Sequence, residues 1–435
     1  MAIERTITEQ LSDVFSNEYI CDNYGFKYSP DKKRLLSAPW PRPDISSYSI
    51  DQNCEMICTD CFAGCSSLNN IIIPNGLKYI GAGAFYNCSK LKTLELPSSL
   101  EYIGNSAFWG CSSLERIIIP DLVEDINDNT FSGCNKLETI CFPSNLRTIG
   151  SNSFACCSSI PRIVLPSNLK VIGSKAFFGC TSMIEISIPE SVVSVEEAAF
   201  DACDSLERFI SELSPDTRGL IVNGVLVAAA SCGLSHYSIP LGVHSIAGSV
   251  FQNNDALQSI KFPSSVDEIG SEAFYHDQNL TTIEFEEGLK RIKSQAFSHC
   301  FKLKSIHFPK TLTDIEWGAF ESCSSLTHVL FNEGLKIIGS RAFAYCPIKN
   351  IILPESLYEV RSQAFVCIIK EEVEHLYIPR TVKIANDAFE SREYSLFMRL
   401  KPRYKSGKYA SWPAIINLDL SDSANIELVR EWSNR

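Results

Sequence analysis

Phenylalanine recurs along this chain at a nearly constant interval, and this interval organises the other hydrophobic positions. Each of these phenylalanines directly follows Ala, Ser, Thr, Cys or Val, and most successive steps are 23 residues. The positions are Phe62, Phe85, Phe108, Phe131, Phe154, Phe177, Phe200, Phe251, Phe274, Phe297, Phe320, Phe343, Phe365 and Phe389. The step from Phe200 to Phe251 equals one repeat plus an insertion of 28 residues. A period of this length is typical of a solenoid, in which short units stack along one axis.

One complete unit, residues 91–114, shows which elements each repeat contributes. Its first part, from Leu91 to Pro97, alternates apolar and polar residues as a half-buried strand does, and the proline ends the strand because it has no N–H to donate. The rest of the unit, which includes Phe108 and Cys111, connects the strands, and these connections are predicted to be short helical or 3-10 turns. Because a 23-residue unit cannot bury its own apolar face, the units must stack with parallel strands about 4.8 Å apart. We therefore predict a β-rich solenoid of about 14 coils, one strand per coil, roughly 65 to 70 Å along its stack.

The consensus of the unit is L-x-x-I-x-I-P-x-x-L-x-x-I-G-x-x-A-F-x-x-C-x-x-L. It resembles the treponemal-type leucine-rich repeats of the BspA-like (bacterial surface antigen A-like) family, over about residues 48–389. Pro402, Tyr404, Trp412 and Ile415 also resemble the segment that closes many such arrays. The resemblance implies a leucine-rich-repeat solenoid that serves as an interaction scaffold, with surface adhesion in some members.

The segments outside the repeats contain two hairpin signals. Asn223-Gly224 lies between two apolar runs, which is the strongest short-range signal for a β-hairpin, and residues 26–36 have a similar design. We expect two projecting β-hairpins on one continuous solenoid. The predicted segments are an N-terminal cap helix with the first hairpin (1–47), a first repeat block (48–203), a hairpin insertion (204–234), a second repeat block (235–389) and a C-terminal cap (390–435).

The N-terminal residues bear on where the protein is found. Apolar residues at positions 3, 7, 11 and 14 follow the helical period and predict a cap helix, with a helix that docks a separate partner as the alternative. Charged residues interrupt the apolar stretch that a secretory signal needs, and no run approaches the length of a transmembrane segment. We therefore expect a cytoplasmic protein. The alternative is a cell-surface or secreted protein exported by a non-standard route.

Composition narrows the class of partner. The chain is 45% hydrophobic and 21% charged, as folded globular proteins are, and it carries a net charge of −12. Nucleic-acid affinity depends largely on Lys and Arg displacing counterions from phosphates, so nucleic acid is an unfavourable partner.

Eighteen cysteines raise the question of a metal site. Cys54, Cys58, Cys61 and Cys65 have metal-like spacing, but the 23-residue register places each in a column that elsewhere holds a small or apolar core residue. A further set follows the phenylalanine by three residues in ten coils: Cys65, Cys88, Cys111, Cys134, Cys157, Cys180, Cys203, Cys300, Cys323 and Cys346. We interpret these cysteines as small core residues with free thiols, and predict no metal and no cofactor.

Catalytic motifs are missing from the sequence. It contains no phosphate-binding loop, nucleophile elbow, zinc-protease motif or dinucleotide fingerprint, so we predict a protein that is not an enzyme. His307 and His328 lie on neighbouring strands and hint at zinc binding or pH sensing, but exposed histidines on a binding surface are the favoured interpretation. An undetected enzyme or metal-binding protein remains the second alternative to the scaffold, after an exported adhesin.

The predicted strands also locate a binding surface. Side chains alternate along a strand, so Leu94 points into the core while Thr93 and Glu95 point outward. Reading these outward columns through the repeats gives two patches in which apolar residues lie beside Arg or His, as interfaces favour. The first patch is Ile72, Arg116, Ile118, Arg162, Val164 and Arg208, and the second patch is His307, His328, Leu330, Ile352 and Tyr377. We predict that this sheet face binds a protein whose identity, like the oligomeric state, is unknown. The alternative is that outward β-branched residues merely favour the strand.

Overall fold

A computed structural model describes residues 18–366, 375–379 and 381–389. The predicted cap helix near the N-terminus and the C-terminal cap lie outside these residues. The chain divides between Val222 and Asn223 into two compact units.

The first unit stacks coils that each turn through two sides of the solenoid. We call the strand in the L-x-x-I-x-I segment the face strand and the shorter strand before the I-G turn the side strand. The face strands are Ser47–Ser49, Asn70–Ile72, Arg116–Ile118, Thr139–Cys141, Arg162–Val164, Glu185–Ser187 and Arg208–Ile210, and an isolated bridge joins Thr93 to Arg116. The side strands are Met56–Ile57, Tyr79–Ile80, Tyr102–Ile103, Asp125–Ile126, Thr148–Ile149, Val171–Ile172 and Ser194–Val195. Ile20–Cys21, Lys27–Tyr28 and Arg34–Ser37 precede them, and Gly219–Val222 follows.

The second unit repeats this arrangement. Its face strands are His236–Ser238, Ser259–Phe262, Thr282–Phe285, Ser305–His307, His328–Leu330, Asn350–Ile352 and His375–Tyr377. Its side strands are Ser245–Ile246, Glu268–Ile269, Arg291–Ile292, Asp314–Ile315, Ile337–Ile338, Glu359–Val360 and Lys383–Ile384, and Val225–Ala229 precedes them.

Neighbouring coils pair in parallel, mostly with a shift of one repeat. Arg162 pairs with Glu185 in the face ladder, and Asp125 pairs with Thr148 in the side ladder, both 23 residues apart. The prediction of parallel stacked strands is confirmed, but the prediction of one strand per coil is wrong because each coil adds a side strand. The connecting turns hold no helix anywhere in the described residues, so the predicted helical turns are not confirmed.

The I-G turn explains why a glycine ends many side strands. A Cβ on Gly104 would lie 2.5 Å from the backbone nitrogen of Ala82 in the preceding coil, which is closer than any side chain tolerates. The coils stack backbone against backbone at this corner. At Gly104 a glycine therefore avoids this clash, whereas other coils place Asn127 or Glu196 at the same position.

The predicted hairpin segments do not project. Arg34–Ser37 pairs antiparallel with Lys27–Tyr28 but also parallel with the side strand Met56–Ile57, so it lies inside the sheet. In the second unit, Val225–Ala229 pairs parallel with Ser245–Ile246 in the same way. In each unit, this segment covers the open edge of the unit's first side strand. The backbone N–H and C=O groups at that edge would otherwise lack hydrogen-bond partners.

Stacked phenylalanines form the centre of each unit. In the first unit, rings from Phe62 to Phe200 lie 5.1–5.5 Å apart between centroids and within 9° of parallel. In the second unit, the rings from Phe251 to Phe389 are 4.8–5.5 Å apart. Offset-stacked aromatic pairs add about 0.5–1.5 kcal/mol each beyond their buried area.

The cysteine column has a polar role that the sequence did not reveal. The thiol of Cys88 donates a hydrogen bond to the carbonyl oxygen of Phe62 at 3.2 Å, and that oxygen also accepts the N–H of Cys65. The same thiol bond, 2.9–3.3 Å long, recurs at Cys111, Cys134, Cys157, Cys180, Cys203, Cys300, Cys323 and Cys346. Each thiol therefore ties one coil to the coil before it.

Candidate functional site

The face strands hold the candidate side chains at fixed orientations. In Arg116–Ile118 the two end residues are exposed and the central Ile117 is buried, and the same order of exposure occurs in Arg162–Val164. The core contacts of the central residue fix which way its neighbours point. In these two strands the residues predicted to point outward therefore lie on the outside of the sheet.

The apolar side chains of the first patch are strongly exposed to solvent. Val164 is 75% exposed, Ile72 is 56% exposed and Ile118 is 49% exposed. Ile210 is 47% exposed two coils beyond Val164 in the same column, although the sequence-based patch omitted it. The register of the strands that selected Val164 also identifies Ile210.

Arginines flank these apolar residues on the same strands. Arg162 and Arg208 lie on either side of Glu185. The distance from Arg162 Nη1 to Glu185 Oε1 is 3.4 Å, and the hydrogen bond from Arg208 Nε to Glu185 Oε2 is 2.8 Å. The Arg208 hydrogen bond, together with the charge of Arg162, holds the pKa of the Glu185 carboxyl below its usual range. Arg116 makes no ion pair with any described residue. In the described part of the chain, Arg116 is therefore the least engaged of the three arginines.

The second patch is less exposed. His307 and His328 are exposed, whereas Leu330, Ile352 and Tyr377 are only partly exposed. The hydroxyl of Tyr377 donates to the Glu355 carboxylate. The structure brings these residues to one face of the second unit, but it leaves less apolar area there than the first patch offers.

The four cysteines with metal-like spacing are core residues. Cys54, Cys58, Cys61 and Cys65 are all at most 1% exposed and carry free thiols. Within residues 18–366, 375–379 and 381–389, no group of three His, Cys, Asp or Glu side chains is arranged to hold a metal ion. Burial raises the pKa of the Cys111 thiol in the ladder to about 12, which disfavours the nucleophilic thiolate.

The fold and the face together define a class, a β-solenoid repeat protein with an exposed parallel sheet. A family described as "BspA type Leucine rich repeat region" matches residues 42–160, 113–214, 228–346 and 290–398. These matches span well over half of the chain, so the protein belongs to the BspA-type leucine-rich-repeat family, and the resemblance found in the sequence is confirmed. No curated protein matches the chain. Within the described residues, no helix has the length and apolar character needed to cross a membrane.

Solved bacterial structures share this fold. A leucine rich cell surface protein from Faecalibacterium prausnitzii is 26% identical with a TM-score of 0.63, and the match covers 80% of this chain and 95% of that one. A leucine-rich repeat protein from Bacteroides ovatus is 24% identical with a TM-score of 0.55, covering 84% and 89%. A leucine-rich repeat protein from Eubacterium ventriosum is 16% identical with a TM-score of 0.52, covering 84% and 94%. The last two likenesses concern the fold alone.

Proposed function

We propose that this chain is a non-enzymatic scaffold that binds another protein through the exposed face strands of its first unit. The observation that carries this proposal is the first patch, where Ile72, Ile118 and Val164 are each about half exposed or more. Protein interfaces combine apolar centres with nearby arginine, and solenoids present extended surfaces for such contacts. The contact residues proposed here are Ile72, Arg116, Ile118, Arg162, Val164 and Arg208, with His307, His328, Leu330, Ile352 and Tyr377 as a secondary surface.

A protein suits this face better than nucleic acid does. The net charge of −12 opposes a phosphate backbone, and Glu185 already engages both Arg162 and Arg208. Exposed isoleucine and valine gain instead from burial against apolar groups, at about 25 cal/mol for each Å² removed from water.

Site-specific photo-crosslinking tests the proposal directly. A photoreactive amino acid replaces Ser187, between Val164 and Ile210 on the face, and the protein is irradiated in an extract of the cells that make it. We expect a covalent adduct with a defined protein, and we expect the adduct to disappear when Ile118→Asp and Val164→Asp are introduced together.

A matched control separates the face from general surface effects. Leu122 and Val193 are 53% and 55% exposed but lie outside the face strands, Leu122 in a turn and Val193 directly before a side strand. The Leu122→Asp/Val193→Asp protein carries the same number of new charges and should keep the adduct. An adduct that survives the face substitutions, or that both double variants lose equally, would contradict binding at the first patch.

A cell-surface adhesin is a second candidate function. It is favoured by the similarity to the cell surface protein of Faecalibacterium prausnitzii, over 95% of that chain. Labelling of intact cells with a membrane-impermeant amine reagent distinguishes the two locations. An adhesin should be labelled before lysis, whereas a cytoplasmic scaffold should be labelled only after lysis.

A further inference from the structure

Exposed apolar side chains recur on every second coil of the first unit's face. Four of them share the second outward column and stand 46 residues apart, which is two repeats: Ile72, Ile118, Val164 and Ile210. The coils between them carry Glu95, Cys141 and Ser187 in the same column. Three of the four apolar residues also have an arginine two positions earlier, at Arg116, Arg162 and Arg208.

The fold does not require this alternation. The inward position of the same strands is apolar in every coil, namely Ile71, Leu94, Ile117, Ile140, Ile163, Ile186 and Phe209. A preference of β-branched residues for strands would likewise act on every coil. The core repeats every coil, so it does not set the two-coil period of the outward apolar residues.

The spacing of this period selects a partner conformation. On the face, the ladder links Val164 to Ser187 and Ser187 to Ile210, so two coils advance by about 9.6 Å at the usual strand separation. The phenylalanine rings are 5.1–5.5 Å apart, so the coils spread slightly between the face ladder and the rings. A polyproline II helix advances about 9.3 Å per turn of three residues. An α-helix returns to the same side after seven residues and about 10.5 Å. Same-side residues of a β-strand are only about 6.7 Å apart.

The face ladder is paired at both steps between Val164 and Ile210. Over this interval polyproline II differs from the repeat of the face by about 0.3 Å and an α-helix by about 0.9 Å. The polyproline II repeat is therefore the closer match.

We propose that the first patch binds a segment of another protein in the polyproline II conformation, lying across the face strands with an apolar side chain at every third residue. This inference rests on the protein-binding function proposed above. Such a segment makes no internal hydrogen bonds and keeps its backbone solvated. It therefore suits the middle of a sheet face, where neighbouring strands already pair the backbone groups that an added β-strand would need.

Charge complementarity adds a second feature to the segment. Arg116 stands on the same coil as Ile118 and has no ion pair among the described residues, and guanidinium groups bind carboxylates in a paired geometry. The segment should therefore carry an acidic residue next to the apolar residue that contacts Ile118.

Synthetic peptides test the spacing with the full-length protein. The probe is a fluorescein-labelled peptide of four Leu-Pro-Glu triplets, and binding is followed by fluorescence anisotropy. Two controls are a peptide of the same composition with the leucines moved to spacings of two and four residues, and a helical peptide with Leu and Glu every seventh residue. We expect the triplet peptide to bind about tenfold more tightly than either control, since losing the burial of one or two leucines costs at least that factor.

Two variants locate the binding. Ile118→Asp/Val164→Asp should weaken the triplet peptide about tenfold or more, while Leu122→Asp/Val193→Asp should leave it unchanged. Ile118→Ser/Cys141→Ile keeps the number of apolar residues but moves one of them to the adjacent coil, and it should also weaken binding. Unchanged binding by this shifted variant would overturn the proposal.

The outcomes separate this inference from the protein-binding function. If the helical or rearranged peptide binds as tightly as the triplet peptide and still depends on Ile118 and Val164, the polyproline II inference fails while face binding stands. If no peptide binds in a face-dependent way, the inference also fails, and the crosslinking at position 187 decides the protein-binding function independently.

Discussion

The carboxyl group of Asp277 predicts how the stability of the second unit responds to pH. Asp277 occupies the column that cysteine fills in most coils, and it is fully buried. Its Oδ1 accepts the backbone N–H of Asn254 at 2.9 Å. Burial raises the pKa of the Asp277 carboxyl well above its usual range. The folded protein therefore holds this carboxyl in its protonated form at pH values where an exposed aspartate is ionised.

The sign and size of the effect follow from proton linkage. In the unfolded chain the carboxyl ionises near pH 3.9, so above that pH the unfolded state releases a proton that the folded state retains. The free energy of unfolding then falls by about 1.4 kcal/mol for each pH unit, until the pH reaches the raised pKa of the folded state. Below about pH 3.9 the contribution of Asp277 is fully present. Asp277→Asn has no proton to lose and should not show this slope.

Urea unfolding measures the slope, because urea does not screen charges. Wild type and Asp277→Asn are unfolded at pH 4.5, 5.5 and 6.5 with far-UV circular dichroism as the signal. Hydrogen exchange of the amides in residues 251–300 assigns the change to this part of the second unit. We expect the difference in unfolding free energy between the two proteins to grow in favour of Asp277→Asn, by about 1.4 kcal/mol per pH unit while the pH lies below the raised pKa of Asp277.

A control identifies the carboxyl responsible. Glu284 is an exposed outward residue of the same unit, and Glu284→Gln should give a curve parallel to that of wild type. If the Asp277→Asn curve is also parallel to wild type across this range, then Asp277 is ionised in the folded protein and the reasoning from burial is wrong.

Four further substitutions test the packing of the coils by denaturant unfolding. Phe131→Ala removes a fully buried ring and should cost about 3 to 5 kcal/mol, whereas Arg116→Ala on the exposed face should change stability by less than about 0.5 kcal/mol; equal effects would show the register to be wrong. Cys134→Ala removes the hydrogen bond from the thiol to the Phe108 carbonyl oxygen and should lower the free energy of unfolding by about 1 kcal/mol. An unchanged free energy of unfolding would show that this thiol only fills space in the core. Gly104→Ala should destabilise by about 1 to 3 kcal/mol because its Cβ meets the preceding coil, and full stability would contradict that close approach.

The repeat period made the face strands and their outward columns predictable. Once the 23-residue register places Ile117 in the core, the alternation of a strand sends Arg116 and Ile118 outward. The same register carries the assignment to Arg162 and Val164 without any new information. The long period therefore compensates for strands that are too short to show a clear pattern individually.

The features that could not be predicted from the sequence depend on pairing or hydrogen-bonding residues that are distant along the chain. Side strands such as Tyr102–Ile103 are two residues long, and two residues cannot display a period of two. Whether Arg34–Ser37 projects or joins the sheet depends on its pairing with Met56–Ile57 in the next coil. In the same way, the thiol of Cys134 looks like a small apolar group until the Phe108 carbonyl of the preceding coil is located.

Hydrogen bonding between coils restricts which partners the face can recognise. The ladder that joins Arg162–Val164 to Glu185–Ser187 sets the distance between successive outward side chains, whatever those side chains are. Recognition by several coils must therefore use a period that is a multiple of about 4.8 Å. A partner whose own repeat differs from such a multiple contacts one or two coils well and then falls out of register. A long linear partner gains from every coil only if its backbone repeat matches, so the partner proposed for Ile118, Val164 and Ile210 would need a repeat near twice the strand spacing.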